Sequence, residues 1–111
     1  MTASFETAEL DLGTQAVLEN WIDYNGHMNV AYYVMAFDHG VDQFMQQIGI
    51  TPQYLEREKS STFTLEMHIN YLRELRLGDP IRLTCQLLNV DSKRVHYFLR
   101  MFPSNEGYLA A

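Results

Sequence analysis

A chain of 111 residues is long enough for one domain of ordinary size and too short for two, so we treat residues 1–111 as a single domain. The formal net charge of -6 excludes the broad basic surface that nucleic-acid binding needs. Hydrophobic residues make up 47% of the chain, which excludes a disordered composition.

The sequence also carries signals of its cellular compartment. The single cysteine, Cys85, permits no intrachain disulfide, and no apolar run approaches the roughly 20 residues of a membrane-spanning helix. Residues 1–12 lack the basic stretch and the apolar core of a signal peptide. These features predict a cytoplasmic protein that does not bind a membrane.

The N-terminal third of the chain predicts a strand followed by a long helix. Apolar pairs at residues 17–18 and 21–22 indicate a strand that runs into a turn at residues 23–26. From Asn29 onward, apolar residues recur every three or four positions, as on one face of a helix: Val30, Val34, Phe37, Val41, Phe44 and Ile48. Gly49 is a natural end for this helix, and residues 51–61 form a polar connection.

The period then changes to two, which is typical of strands with one buried face. Alternation covers residues 63–71, 81–87 and 95–101, with turns predicted at residues 77–80, 89–92 and 104–107. Residues 107–111 resemble the opening of another strand, so we expect the last strand to be incomplete. One long helix beside antiparallel strands predicts an α+β fold in which the sheet covers the helix.

The densest polar cluster precedes the helix and reads Asp23-Tyr24-Asn25-Gly26-His27-Met28-Asn29. A helix N-terminus presents unpaired backbone N–H groups that stabilise the developing oxyanion of a thioester carbonyl under attack. A nearby carboxylate could attack that carbonyl or orient a water molecule. The structural alternative is that Asp23 or Asn25 closes the turn and Asn29 caps the helix. On spacing alone, this alternative is the stronger one.

The pattern Asp23-x-x-Gly26-His27-x-Asn29 resembles the signature of hotdog-fold acyl-CoA thioesterases of the 4-hydroxybenzoyl-CoA thioesterase type. The similarity extends over about residues 17–111 and includes residues 71–79. It implies a hotdog fold, one long central helix wrapped by an antiparallel sheet. It also implies hydrolysis of an acyl-CoA thioester, without a metal or other cofactor, in a homodimer or a dimer of dimers whose active sites lie at subunit boundaries.

The resemblance also implies roles for single residues. Asp23 matches the catalytic carboxylate, as nucleophile or general base, and the Val30 backbone N–H matches the group that polarises the thioester carbonyl. Gly26, His27 and Asn29 match positions that shape the turn, and His27 could also bond the substrate. The sequence departs from the pattern at position 21, where many relatives have an acidic residue and this chain has Trp21.

Aromatic residues surround this motif and are candidate substrate contacts: Trp21, Tyr24, Tyr32 and Tyr33. Packing in the core is the ordinary role for each, but an aromatic wall beside an acidic group also suits a quaternary ammonium ion. The motifs look most like thioesterases linked to carnitine breakdown, which implies betainyl-CoA as the substrate.

Other functions stay open on the same fold. One is an enoyl-CoA hydratase or dehydratase that uses Asp23 and His27 for proton transfer, and another is an acyl-CoA-binding domain without catalysis. Cys85 shares the parity of its apolar neighbours and is expected in the core. The histidines lack the spacing of metal ligands, so no metal site is predicted.

Overall fold

The order of elements follows the changes of pattern along the chain. The computed structural model describes residues 9–103 and 108–111. Most of the segment considered for a signal peptide, and the turn predicted at residues 104–107, lie outside these ranges. The described elements are β1 (Leu10–Ala16), a 3-10 turn (Glu19–Trp21), α1 (Val30–Gln47), α2 (Pro52–Glu58), β2 (Pro80–Val90) and β3 (Val95–Pro103). The fold is therefore α+β, as predicted.

The strands form an antiparallel three-stranded sheet in the order β1-β2-β3. The prediction of strands at residues 81–87 and 95–101 is confirmed by β2 and β3. Ile81, Leu83 and Cys85 are fully buried because alternate residues of a strand share one face, and this face of β2 packs in the core. In β1, the register shifts around Gly13, whose φ of 90° suits a bulge.

The predicted long helix is confirmed as α1, but its buried face is rotated from the predicted one. Phe37 and Phe44 are buried as expected, whereas Val30 and Ile48 are exposed. The remaining buried residues of α1 are Tyr33, Ala36 and Gly40. At Gly40 the helix lies so close to β2 that an added Cβ would be 2.6 Å from Leu83 Cδ1. The small residues Ala36 and Gly40 therefore allow this face of the helix to pack close to the sheet.

The strand predicted at residues 63–71 is wrong for the described chain. No strand pairs with this segment there, and Phe63 and Leu65 are 85% and 75% exposed. An open hollow of about 530 Å³ lies between Leu65 and the β2–β3 turn. Alternation predicts one buried face, but a strand also needs a hydrogen-bonded neighbour along its length.

The end of that segment is nevertheless attached to the C-terminal residues. The backbone N–H groups of Leu72 and Arg73 both donate to Ala110 C=O, at 3.0 and 3.1 Å. On its other side, Ala110 N–H donates to Met101 C=O at 2.8 Å, and Met101 N–H donates to Ala111 C=O at 2.8 Å. Residues 110–111 thus lie between β3 and residues 72–73, as the opening of a further strand would.

Two further predictions need correction. The first strand is Leu10–Ala16 rather than residues 17–22, whose apolar side chains Val17 and Trp21 are buried in the core. The polar connection contains α2, which begins with Pro52 after Thr51, whose hydroxyl accepts a hydrogen bond from Tyr54 N–H at 3.1 Å. This helix has no buried residue, so its sequence lacks the apolar periodicity from which a helix would have been predicted. Neither helix is both long and apolar enough to cross a membrane, over the ranges the structure describes.

Candidate functional site

The turn before α1 is held by backbone hydrogen bonds at both ends. Asp23 N–H donates to His27 C=O and Gly26 N–H donates to Asp23 C=O, each at 3.0 Å. Met28 N–H donates to Leu75 C=O at 2.7 Å, which attaches the turn to a second segment. Gly26 has a φ of 80°, a conformation that other residues rarely adopt, and no atom lies within 4 Å of a Cβ built there. Glycine is therefore needed here for its backbone.

The Asp23 carboxylate bonds within this turn and next to the helix start. Its Oδ1 accepts from Asn25 N–H at 2.9 Å, and its Oδ2 lies 3.4 Å from the donating Asn29 Nδ2. Asn29 caps α1, because its Oδ1 accepts from Ala31 N–H at 3.0 Å. The structural roles considered in the sequence analysis are thus observed: Asp23 closes the turn and Asn29 caps the helix. It is compatible with a chemical role, since the same bonds hold the carboxylate beside the helix N-terminus.

The turn, the start of α1 and the segment before Leu75 together line one open groove. Its volume is about 290 Å³, and its lining residues are Asp23, His27, Met28, Val30, Tyr33, Tyr71, Leu72, Arg73 and Glu74. Two separate parts of the sequence, residues 23–33 and 71–74, therefore contribute to a single concave surface.

The helix N-terminus offers this groove a free donor. Ala31 N–H is bonded to the Asn29 side chain, and Tyr32 N–H donates to Asn29 C=O at 2.9 Å. For Val30 N–H, no acceptor is found among residues 9–103 and 108–111. The Val30 carbonyl accepts from Tyr71 Oη at 3.2 Å. The first N–H of α1 is thus available to an anionic or partly charged oxygen.

The groove contains some of the predicted site residues and not others. Asp23, His27, Val30 and Tyr33 line it, and Gly26 and Asn29 support them from the turn. Trp21 is only 4% exposed and stacks on Tyr32, with ring centroids 5.7 Å apart. Tyr24 is 97% exposed. Neither Trp21 nor Tyr24 lines the groove, so the structure does not bring these two candidate contacts to it.

The aromatic wall of the groove is formed by Tyr33 and Tyr71. Their rings meet edge to face, with centroids 5.2 Å apart. Tyr33 Oη donates to Arg73 C=O at 3.0 Å, and burial raises the pKa of this phenol, so it stays a neutral donor. Tyr71 was predicted only as a strand residue. The resemblance over residues 71–79 was the available signal that this segment belongs to the site.

Glu74 is a site residue that sequence reasoning missed, since no pattern singled it out. Its Oε2 lies 2.8 Å from His27 Nε2, and its Oε1 lies 2.7 Å from Arg76 Nη2. The hydrogen bond from Arg76 lowers the pKa of Glu74, and the nearby His27 acts in the same direction. Glu74 therefore brings a second negative charge to the groove that holds Asp23.

The remaining candidates for chemistry lie away from this groove. Cys85 is fully buried, and burial raises the pKa of its thiol to about 11, so it is a core residue as expected. Within the part of the chain that the structure describes, no group of three or more His, Cys, Asp or Glu side chains could hold a metal ion.

The comparisons with known proteins identify the family of the chain. The family model described as the thioesterase-like superfamily matches residues 17–111. The chain belongs to this superfamily. A betainyl-CoA thioesterase of Pseudomonas aeruginosa is 37% identical to it over 95 residues, 86% of this chain and 60% of that relative. An L-carnitine dehydrogenase/betainyl-CoA thioesterase of Rhizobium meliloti is 38% identical over 91 residues, 82% of this chain and 18% of that relative.

Solved structures extend the similarity of this thioesterase-like chain to three dimensions. A Staphylococcus aureus protein solved in complex with CoA superposes with a TM-score of 0.85 at 36% identity, over 93% of this chain and 64% of that one. The chain therefore has the hotdog fold that its turn motif predicted, and the prediction of the thioesterase family is confirmed. The chain spans 60% of the length of the Pseudomonas relative.

Proposed function

We propose that this chain hydrolyses an acyl-CoA thioester to a free acid and coenzyme A. The observation that carries the proposal is that Asp23 and Val30 line one groove, and that no acceptor for Val30 N–H is found among residues 9–103 and 108–111. Two curated relatives are named betainyl-CoA thioesterases, and a similar structure holds CoA, which supports a CoA ester as the ligand.

The chemistry follows from what each group can supply. Val30 N–H and the positive end of the α1 dipole stabilise negative charge on the thioester oxygen as a nucleophile adds to the carbonyl carbon. With Asp23 as general base, water forms the new C–O bond and Asp23 takes its proton. The C–S bond then breaks, and the thiolate of coenzyme A leaves and is protonated. With Asp23 as nucleophile, its carboxylate forms a C–O bond to the carbonyl carbon, and the C–S bond breaks as the thiolate of coenzyme A leaves. Water then hydrolyses the resulting anhydride, which releases the acid and regenerates Asp23.

We extend the proposal to the acyl group, which would carry a quaternary ammonium as in betainyl-CoA. The Tyr71 side chain is 45% exposed and offers an aromatic surface to such a cation, with the buried Tyr33 ring packed against it, and the carboxylates of Asp23 and Glu74 offer negative charge. In this proposal, the groove binds the acyl group with no metal or other cofactor.

A homodimer, or a dimer of dimers, is the proposed assembly. Its support is the row of exposed apolar side chains at residues 63–67, which runs into Tyr71 and Leu72 of the groove. A second subunit on this row would complete the groove wall. The proposed location is the cytoplasm, which rests on the single cysteine.

A thiol-release assay over a panel of acyl-CoA esters tests the proposal, with Asp23→Asn beside the wild type. Asparagine keeps the Oδ1 acceptor for Asn25 N–H, so the turn should fold, but it cannot take a proton or attack. We expect kcat/KM to fall by about 100-fold or more. Asp42→Asn, at an exposed position of α1, is the matched control and should keep wild-type turnover.

Three outcomes would contradict parts of the proposal. A folded Asp23→Asn variant with wild-type turnover would remove Asp23 from the mechanism. Wild-type protein that binds CoA esters but releases no thiol would favour the binding domain. Hydration of an enoyl-CoA without thiol release would favour the hydratase.

A further inference from the structure

The turn at residues 23–28 and the segment at residues 71–75 are joined beside the groove by one backbone hydrogen bond and one side-chain contact. Met28 N–H donates to the carbonyl of Leu75, which is fully buried and cannot shift freely. One residue earlier on both segments, Glu74 Oε2 lies 2.8 Å from His27 Nε2. The buried Leu75 therefore fixes the backbone from which Glu74 reaches the imidazole.

Both oxygens of Glu74 are occupied. Oε1 accepts from Arg76 Nη2 at 2.7 Å, and the Arg76 backbone N–H donates to Asp79 Oδ2 at 2.8 Å. The Arg76 hydrogen bond lowers the pKa of Glu74, so the carboxylate is ionised at neutral pH. An ionised carboxylate only accepts hydrogen bonds, so His27 Nε2 must carry the proton of the contact.

We propose that Glu74 is a positioning residue that fixes His27 Nε2 as the protonated nitrogen of its ring. The neutral ring then has Nδ1 as its acceptor, and no described residue bonds to Nδ1. Because His27 lines the groove, Nδ1 is available to a water or to an N–H group of the substrate. The orientation of the ring stands on its own geometry, while its use in turnover rests on the proposed function.

An ordinary surface ion pair is the competing explanation. The side chains of His27 and Glu74 are 41% and 47% exposed, and exposed pairs add little to stability. The chain offers an ion pair away from the groove whose carboxylate is matched in exposure, Arg57–Glu58 at 3.1 Å, with Glu58 48% exposed. An ordinary pair would affect neither the His27 ring nor turnover when it is removed, whereas a positioning residue would affect both.

The experiment uses the full chain labelled with ¹⁵N-histidine, with the His27 signals assigned by their loss in His27→Gln. In the wild type, the hydrogen bond to Glu74 slows exchange of the Nε2 proton with water, so its resonance is observed. We expect it to disappear in Glu74→Ala and to persist, weakened, in Glu74→Gln, whose amide oxygen still accepts. Glu58→Gln is the matched control and should leave the resonance unchanged.

Turnover is measured on the same proteins with the best ester of the panel whose acyl group is uncharged, because the charge of Glu74 is also proposed to bind a cationic acyl group. We expect Glu74→Ala to lower kcat about tenfold while KM changes less, because the ring loses its orientation rather than its place in the groove. Glu74→Gln should recover part of this loss, and Glu58→Gln should match the wild type. If Glu74→Ala does not fold, Glu74→Leu replaces it with the same expectation.

Each contrary result overturns a defined part of the inference. An unchanged Nε2 resonance in the folded Ala or Leu variant would show that Glu74 does not fix the ring. A lost resonance with wild-type kcat would show that the orientation has no use in turnover. Wild-type protein without activity on any ester would contradict the proposed function, while the resonance would still decide whether Glu74 holds His27.

Discussion

The carboxylate of Asp23 has two hydrogen-bond partners in the turn, and neither of them neutralises its charge. Asn25 N–H and the Asn29 amide are neutral donors, so neither of them forms an ion pair with the carboxylate beside the helix N-terminus. A purely structural Asx turn would be served equally by asparagine. The difference in turnover between wild type and Asp23→Asn is therefore expected to reflect the chemistry of the carboxylate rather than the folding of the turn.

Cys85 carries a residue-scale prediction that also bears on the thiol-release assay. Its side chain is fully buried, and burial raises the pKa of the thiol to about 11, so almost no reactive thiolate exists at pH 8. We expect a disulfide reagent such as DTNB to leave native protein unmodified at pH 8 and to modify one thiol per chain in denaturant.

The pKa shift of Cys85 also fixes the direction of its pH dependence. The unfolded thiol loses its proton at lower pH than the folded one. The contribution of this group to the free energy of unfolding is therefore complete below the ordinary thiol pKa. It then decreases as the pH rises toward about 11. Rapid reaction of native protein at pH 8 would show that β2 opens readily, and Cys85→Ala would then be needed as the assay background.

How much of the site could be predicted depended on distance along the chain. Asp23, His27 and Asn29 lie within one short motif before the helix, so the sequence placed them together, but only the resemblance to a known family selected them as site residues over residues that shape the turn. Tyr71 and Glu74 reach the same groove only because the fold returns there more than 40 positions later, which no local pattern encodes. Trp21 does not line the groove in the structure, because its ring is buried and stacks on Tyr32, and the sequence alone does not indicate which side of a turn an aromatic ring packs on.

At the scale of elements, α1 was predictable in length but not in rotation. Periodicity selects a face by the size of its apolar side chains, and it therefore favoured Val30 and Ile48. The actual contact uses the small residues Ala36 and Gly40, which let the helix backbone approach β2. Close approach is a property of two elements together, so a single-helix pattern cannot reveal it.

The Gly40–Leu83 contact leads to a prediction in which two effects oppose each other. Replacing a helical glycine by alanine stabilises a helix by about 1 kcal/mol. Here the new Cβ would meet Leu83 Cδ1 at 2.6 Å, and overpacking of a core costs about 1–3 kcal/mol. We expect Gly40→Ala to lower the free energy of unfolding by about 1 kcal/mol in urea denaturation, because the larger effect dominates.

A double-mutant cycle with Leu83→Val separates the two contributions. Valine lacks the Cδ atoms that the new methyl group would contact, so Gly40→Ala should be neutral or stabilising in that background. If Gly40→Ala lowers stability equally in both backgrounds, the cost does not arise from the contact with Leu83.

The segment at residues 63–71 shows what alternation can and cannot predict. Its apolar residues recur with the period of a strand, yet most of them are exposed, because no neighbour lies along the segment within the described chain. Period two reports that one face is suited to burial. It does not report which surface covers that face, nor whether the cover comes from the same chain.

At the scale of the whole molecule, this uncovered segment runs in sequence into the groove. Tyr71 and Leu72 line the groove, and the exposed residues Phe63, Leu65 and Met67 precede them in the same segment. Exposed apolar residues of this kind beside a functional groove are typical of an interface. A partner that covered the exposed row would therefore lie on the segment that also contributes to the groove of about 290 Å³.

Self-association through this row is the prediction that tests the proposed dimer. We expect the full chain to sediment as a dimer or larger assembly, and Leu65→Lys to dissociate it at equal concentration. Burying a leucine contributes about 1.5–3 kcal/mol, so each lost contact should raise Kd at least about tenfold. Leu77→Lys is the matched control, since Leu77 is also exposed but lies in a turn away from the row. Equal sedimentation of Leu65→Lys and the wild type would mean that this row is not the interface. A monomeric wild type would contradict the dimer itself, because the exposed row would then have no cover from a second copy.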